Sequence, residues 1–327
     1  MKNSILNFVF ICLFVVITFS CKKEPTTPTY PGWVNYNSSN SGLVSDYLWG
    51  SIAIDNNGNK WFGTISDGIS EFDGTKWISY STADGWFLNT VFSIVVDSHN
   101  DVWVASDPGL LKFDGVNWTI YNSNNVLSSN NVGPIAVNKQ GDILIGCGGV
   151  TKFDGTNWTN YNTSNSGLTN NQVMTIFVDK IGNEWFGTYE EGISKFDGTN
   201  WITYNTTNSG LINNDIHCIV SDVQGNMWFG TDNGISKFDG TNWTTYNSTN
   251  SGLANNSVWT IGIDTEGNKW FGFETVGGVS KFDGSNWTTY STTNSGLTSN
   301  EVNYIAVDKL GNKWFGTGGG GACEFKN

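Results

Sequence analysis

The chain has 327 residues, enough for one large domain or two small ones, and its 29 acidic against 16 basic residues give a formal charge of −13. That balance excludes an electrostatic grip on nucleic acid. Every basic residue is lysine, so bidentate guanidinium clamps on phosphate or carboxylate are excluded as well. Forty glycines, an aromatic share of 14% and a charged share of only 14% describe a turn-rich, folded β protein rather than a disordered one.

Residues 1–20 read as a signal peptide: Lys2 is the short positive region, and Ile5 to Phe19 is almost continuously apolar. That run falls short of the ~20 residues a membrane span needs. The sequence Thr18-Phe19-Ser20-Cys21 resembles the lipobox of bacterial lipoproteins, which implies lipidation at Cys21. Thr18 and Phe19 replace the residues usual there, and plain signal-peptidase cleavage is the alternative. The expectation is an exported, outer-membrane lipoprotein on the periplasmic or the surface face, touching the membrane through its N-terminal lipid alone. Residues 21–30, rich in Pro and Thr, form a tether. Cys147, Cys218 and Cys323 match no metal-ligand spacing and are expected to be buried thiols.

From residue 31 to 327 one unit is written seven times. Gly-Asn-x-Trp-Phe-Gly-Thr appears at Gly58 to Thr64, Gly182 to Thr188, Gly225 to Thr231 and Gly311 to Thr317, with near-copies at Asn100 to Ser106, Gly141 to Cys147 and Gly267 to Phe273. Phe-Asp-Gly recurs with its aspartate at 73, 114, 154, 197, 239 and 283, each followed by Trp-x-x-Tyr. A period near 42 is the length of a propeller blade. The fourth unit predicts strand a over Val173 to Asp179, b over Glu184 to Thr188, c over Ile193 to Phe196 and d over Trp201 to Asn205, with hairpin turns rich in Gly and Asn. The last unit stops in strand c, and Trp33-Val34-Asn35-Tyr36 is an orphan strand d. The expectation is an all-β, seven-bladed β-propeller of four-stranded antiparallel blades, closed by the N-terminal strand pairing with the C-terminal blade.

The string Gly-Leu-x-x-Asn-x-Val-x-x-Ile-x-x-Asp-x-x-Gly-Asn-x-Trp-Phe-Gly-Thr-x-x-Gly-Ile-Ser-Lys-Phe-Asp resembles the two-component regulator propeller repeat. The resemblance covers nearly all of residues 31–327 and implies the fold. It also implies a relation to ligand-sensing periplasmic halves of hybrid histidine kinases, and it carries over no catalytic residue. Only one propeller and no kinase domain is legible, so the expectation is binding rather than signalling by this chain.

The aromatic residues repeated in every blade predict packing between blades rather than sugar stacking, because a single site needs its aromatics in one place. The Asp-x-x-Gly-Asn turns predict side-chain-capped turns and no metal, since one loop supplies too few oxygens. No cofactor is expected. His99 and His217 fall on opposite faces of the disc and cannot share a site. Streptogramin lyases resemble this architecture, but their constellation of histidines, glutamate and magnesium is not visible in this sequence. The glycine run Gly318 to Gly321 reads as plain flexibility.

Comparing the seven copies separates scaffold from free positions. The a–b and c–d turns barely change, whereas the b–c loops and the residue after the first Val or Ile of strand a do. The latter position should ring the mouth of the central channel. The candidate ligand-binding residues are therefore Phe92, Met174 and Trp259 as apolar contacts, with His217, Asn303, Tyr189, Glu190, Glu191 and Glu274 as polar ones. The expected function is a non-catalytic ligand-binding or protein-interaction module for a glycan, a peptide or an envelope protein. The alternatives are a polysaccharide lyase or hydrolase using carboxylates, and a periplasmic partner subunit of a two-component sensor kinase.

Overall fold

The computed structural model describes residues 30–81, 89–107, 109–124, 126–127 and 129–327; the leader, Cys21 and most of the tether lie outside them. Among the described residues are twenty-eight strands and no helix, in seven antiparallel sheets of four. Blades 1 to 6 each use four consecutive strands, spanning 52–80, 91–121, 135–161, 173–204, 216–246 and 258–290. Blade 7 combines Val302–Val307, Lys313–Thr317 and Gly321–Phe325 with the N-terminal strand Trp33–Tyr36. Trp33 lies opposite Phe325 and Tyr36 opposite Ala322, so the expected closure is the one formed.

The strand limits differ slightly from the sequence reading in blade 4. Strand a is Val173–Val178, because the Asp179 carboxylate is occupied in capping the a–b turn. Strand d is Trp201–Tyr204, because Asn205 Oδ1 accepts the N–H groups that begin the next connection. Strand c starts one residue early, at Gly192 (φ 84°). A Cβ there would stand 2.3 Å from the Tyr204 carbonyl oxygen, and the matching glycines of the other blades meet the same obstacle, so the position admits only glycine.

Seven apolar clusters hold the ring, one in each space between neighbouring blades. Side chains alternate along each strand, so one blade feeds two clusters. In blade 1, Trp61, Ile69 and Tyr80 face blade 2, while Phe62, Phe72 and Trp77 face blade 7. Tyr36 of the closing strand stacks on Trp314 of its own blade at 5.6 Å and meets Phe72 and Trp77 of blade 1. Repeated Trp and Tyr are thus inter-blade packing. Nearer the axis, backbone N–H groups reach across blades: Ile135 donates to Ser93 Oγ at 3.3 Å and Ile305 to Thr260 Oγ1 at 3.1 Å.

The a–b turns have a common anchor. In six blades the turn Asp accepts at least two backbone N–H groups with one oxygen and, with the other, the indole N–H of the Trp six residues on, the latter at 2.8 to 3.5 Å. Blade 3 has Leu144 at the Trp position, and there the Asp is replaced by Asn138, whose amide donates to Asp142 at 3.0 Å. A carboxylate without its indole partner would be a buried acceptor left unsatisfied, and the neutral amide avoids that. The Asn-Ser-Thr tracts between blades are equally ordered. Asn247 Oδ1 accepts from Thr249 and Asn250, Ser251 donates to the Asn247 carbonyl, and buried Leu253 pins the connection into the core.

Candidate functional site

The first strand of every blade lines a central channel of about 1540 Å³ with apolar walls that include Val137, Phe177, Val220 and Val307. Strand alternation puts the a–b and c–d turns at one end and the b–c loops and d–a connections at the other. Phe92, Met174, His217, Trp259 and Asn303 all line the channel. Phe92 is 47% exposed, whereas Asn303 is buried. Tyr189, Glu190, Glu191 and Glu274 are not part of that wall and stand on the rim. His99 sits in an a–b turn beside Asp97, at the other end.

Blades 5 to 7 form one hydrogen-bonded arc. His217 Nε2 lies 2.9 Å from Asp232 Oδ1, in the b–c loop of its own blade. Ser257, just before strand a of blade 6, donates to the same carboxylate oxygen at 2.9 Å and accepts the Trp259 indole N–H at 3.1 Å. The Trp259 ring stacks on His217 with centroids 4.5 Å apart and planes 12° from parallel. The other ring nitrogen of His217, Nδ1, is buried with no hydrogen-bond partner among the described residues. In blade 7, Asn303 donates to Glu301 Oε1 and to the Leu48 carbonyl, both at 3.3 Å. Two acceptors on its amide nitrogen fix the orientation of the group, and Oδ1 has no partner.

The acidic side chains of this arc feel one another. Burial pushes the Glu274 carboxyl above its ordinary value; His217 pulls the other way, while Asp232 and Glu301 add to the rise. Tyr189 and Glu190 form a separate pair on the rim of blade 4. The phenol donates to the Glu190 carboxylate, which pushes the phenol up, and the Glu190 backbone (φ 59°) donates to Asp215 Oδ1 at 2.8 Å. A non-glycine residue in that region is strained and is held by its neighbours. Glu191 is simply exposed. Glu190 and Glu274 therefore belong to different constellations.

Sequence reasoning missed Trp49, Asp232, Ser257 and Glu301. Trp49 lines the channel from blade 1 at 47% exposed, but an extra residue between Leu48 and Ile52 hides its equivalence to Phe92. Leu48 reveals the register, donating to Thr317 O as Val91 donates to Thr64 O. Ser257 and Glu301 immediately precede the repeated Val, two positions from Trp259 and Asn303. Residues two apart in a strand share a face, and Gln172 with Met174 repeats the pairing in blade 4. That variable position was the available signal. The glycines at 318–321 are also not mere flexibility: a Cβ on Gly318 would meet the Glu301 carboxylate at 2.0 Å, and one on Gly319 would meet the Tyr47 ring at 3.2 Å.

Among the described residues, no three His, Cys, Asp or Glu side chains converge to hold a metal ion. Among the described residues Cys147, Cys218 and Cys323 form no disulfide, and burial pushes the Cys218 thiol up to about 12.

Fold and mouth together define a seven-bladed β-propeller with a channel open at the variable end. Residues 167–190 and 210–233, the d–a connection through the b–c loop of blades 4 and 5, match the family described as two component regulator propeller. Blades 4 and 5 are thus repeats of that type, and the other five blades follow the same pattern. No curated protein matches the chain significantly. Among solved structures, the extracellular domain of the hybrid two component system BT3049 from B. thetaiotaomicron is similar, with a TM-score of 0.76 and 23% identity over 90% of this chain and 42% of that one. PorZ, a surface component of the type-IX secretion system of Porphyromonas gingivalis, matches with a TM-score of 0.71 and 16% identity over 90% of this chain and 48% of that one. Virginiamycin B lyase from Staphylococcus aureus matches with a TM-score of 0.69 and 16% identity over 90% of this chain and 98% of that one. At these identities the likeness is one of fold, and the chain spans less than half the length of the first two.

Proposed function

We propose that this protein is a non-catalytic binding module of the bacterial cell envelope, exported and anchored by lipid on Cys21, which takes a glycan or peptide at the mouth of its channel. The observation that carries the reading is the division of labour among the seven copies. At the turn end, the repeated Asp, Asn and Trp side chains are consumed by the same structural bonds in blade after blade. At the mouth the copies diverge, and three neighbouring blades contribute the stacked Trp259 and His217, the shared Asp232 and the part-satisfied Asn303. Scaffolds that vary at one end only are typical of ligand-bearing loops on a rigid frame.

The similar structures support the location: one is an extracellular domain of a two component system and another a bacterial surface component. The lyase shares the fold and argues for testing turnover, since fold alone does not decide function. An array of glycans and peptides tests the reading. Hits should weaken at least about tenfold on Trp259→Ala, about 1.4 kcal/mol. Polysaccharide turnover abolished by a Glu190/Glu191 double substitution would replace binding with catalysis.

A further inference from the structure

Lysine is distributed unevenly over the disc. Every lysine of the described residues lies in the a–b or c–d turns, in the strand halves beside them, or just past the last strand at Lys326. Many of them are engaged in local contacts there. Lys195 sits 4.9 Å over the Trp185 ring and Lys281 5.3 Å over Trp270, while Lys112 and Lys152 pair with Asp101 and Asp142 at 2.7 and 2.6 Å. The b–c loops and d–a connections carry no lysine among the described residues, yet Asp46, Asp107, Asp215, Asp232, Glu274 and Glu301 lie in them. Among the described residues of the mouth there is no lysine and one histidine, His217, which is held between Asp232 and Trp259.

The mouth is also uneven in its aromatic side chains, although carboxylates reach round it to Asp46, Asp67 and Asp107 in the loops of blades 1 and 2. On blades 1 and 2 it presents exposed aromatic side chains: Tyr47 at 60%, and Trp49 and Phe92 at 47% each. Blades 5 to 7 contribute the carboxylates around Trp259. In a closed ring of seven, blade 2 stands across the channel from blades 5 and 6. Two of the buried side-chain atoms without hydrogen-bond partners, Asn303 Oδ1 and His217 Nδ1, lie at the mouth in blades 7 and 5, and Asn303 Oδ1 is an acceptor. Asn303, at 6% exposed, lines the cavity, and an unsatisfied acceptor on so buried a side chain calls for a donor. The carboxylates are spread along the arc rather than gathered as metal ligands, a spacing that suits the flexible head of an organic cation.

From this juxtaposition we infer that the mouth is a docking surface for a peptide segment with basic and apolar side chains, lying across the channel with its ammonium group against Asp232, Glu274 and Glu301 and its apolar group against Trp49 and Phe92. The inference rests on the binding-module reading and narrows its ligand. Charge complementarity selects the occupant. An acidic polysaccharide would meet the carboxylates with no counter-charge from the protein, and a neutral glycan would leave them unanswered.

The test is calorimetric titration of the protein with the synthetic peptide Gly-Phe-Gly-Lys-Gly-Phe-Gly-Lys, with its Nε-acetylated form and with a neutral chito-oligosaccharide. The lysine peptide should bind and weaken as salt rises. Acetylation should cost about tenfold or more, and the triple variant Asp232→Asn/Glu274→Gln/Glu301→Gln should cost as much, with an unchanged melting temperature certifying its fold. Glu266→Gln, in an a–b turn at the opposite end, should change affinity less than about twofold. Equal binding of the acetylated peptide, undiminished binding by the triple variant, or no binding of the lysine peptide overturns the inference. If the oligosaccharide binds instead and loses affinity on Trp259→Ala, the cationic ligand is refuted while the binding module stands. If all array binding ignores Trp259→Ala, the binding-module reading falls with it.

Discussion

Replacing Asp222 by Asn tests the anchor of the blade directly. Asp222 Oδ1 accepts from the backbone of Gln224 and Asn226, and an amide oxygen keeps those bonds. Oδ2 accepts from Asn226 Nδ2 at 2.8 Å and Trp228 Nε1 at 3.0 Å, and an amide nitrogen there would face two donors. Each hydrogen bond to a charged group contributes about 1.5–3 kcal/mol, so Asp222→Asn should cost about 3 kcal/mol. That is a large part of a typical stability of about 5–15 kcal/mol. Blade 3 supplies the control, because its Asn138 is satisfied by Asp142 and has Leu144 in place of Trp. Adding Asn226→Asp and Trp228→Leu to Asp222→Asn imports the part of that set within the blade, without the bond Asn138 makes to Glu184 of the next blade, and should recover part of the loss. Urea denaturation of the single and triple variants measures both quantities. A single variant within about 1 kcal/mol of the parent, or a triple variant no more stable than the sum of its separate changes, would refute the anchoring role.

Removing residues 30–36 deletes Trp33 and Tyr36 from two inter-blade clusters and leaves blade 7 with an open edge. At about 3–5 kcal/mol for each large aromatic lost, the truncated chain should fail to melt cooperatively, and a normal calorimetric transition would contradict the closure. Alkaline pH should destabilise the ring: burial, with help from the Glu324 carboxylate, pushes the Tyr36 phenol from 10.0 up to about 12. Between those values the folded state holds a proton that the unfolded state releases, so stability is full below pH 10 and declines toward 12. A melting temperature constant across that window would refute the assignment. Cys21→Ser should move the protein from the membrane fraction to the soluble envelope fraction, and unchanged membrane retention would refute lipid anchoring.

The fold was legible because seven imperfect copies average out local ambiguity. Gly-Asn turns and Trp-x-x-Tyr strands that are weak singly become decisive when they recur in register, and the truncated last unit pointed to Trp33–Tyr36 as its missing strand. The channel position was legible for the same reason in blades 2 to 7, since Phe92, Gly133, Met174, His217, Trp259 and Asn303 vary beside an unvarying Val or Ile. The partners of these residues were not. Ser257 and Glu301 lie at the end of Asn-Ser-Thr tracts whose composition masks a strand-like alternation, and Asp232 joins His217 only once a b–c loop folds back over strand a. Tyr189 and Glu190 were correctly found variable, yet variability could not tell that they would bond to each other and to Asp215 rather than line the channel. The glycine run of blade 7 looked empty because the two groups it accommodates, Tyr47 and Glu301, come from elsewhere in the chain.

The central claim, that ligand binds at the channel mouth of blades 5 to 7, is tested most directly by the affinity of array-identified ligands for the parent protein and for Trp259→Ala. The account predicts a loss of about tenfold or more with the melting temperature unchanged; equal affinity for both proteins would place the ligand elsewhere.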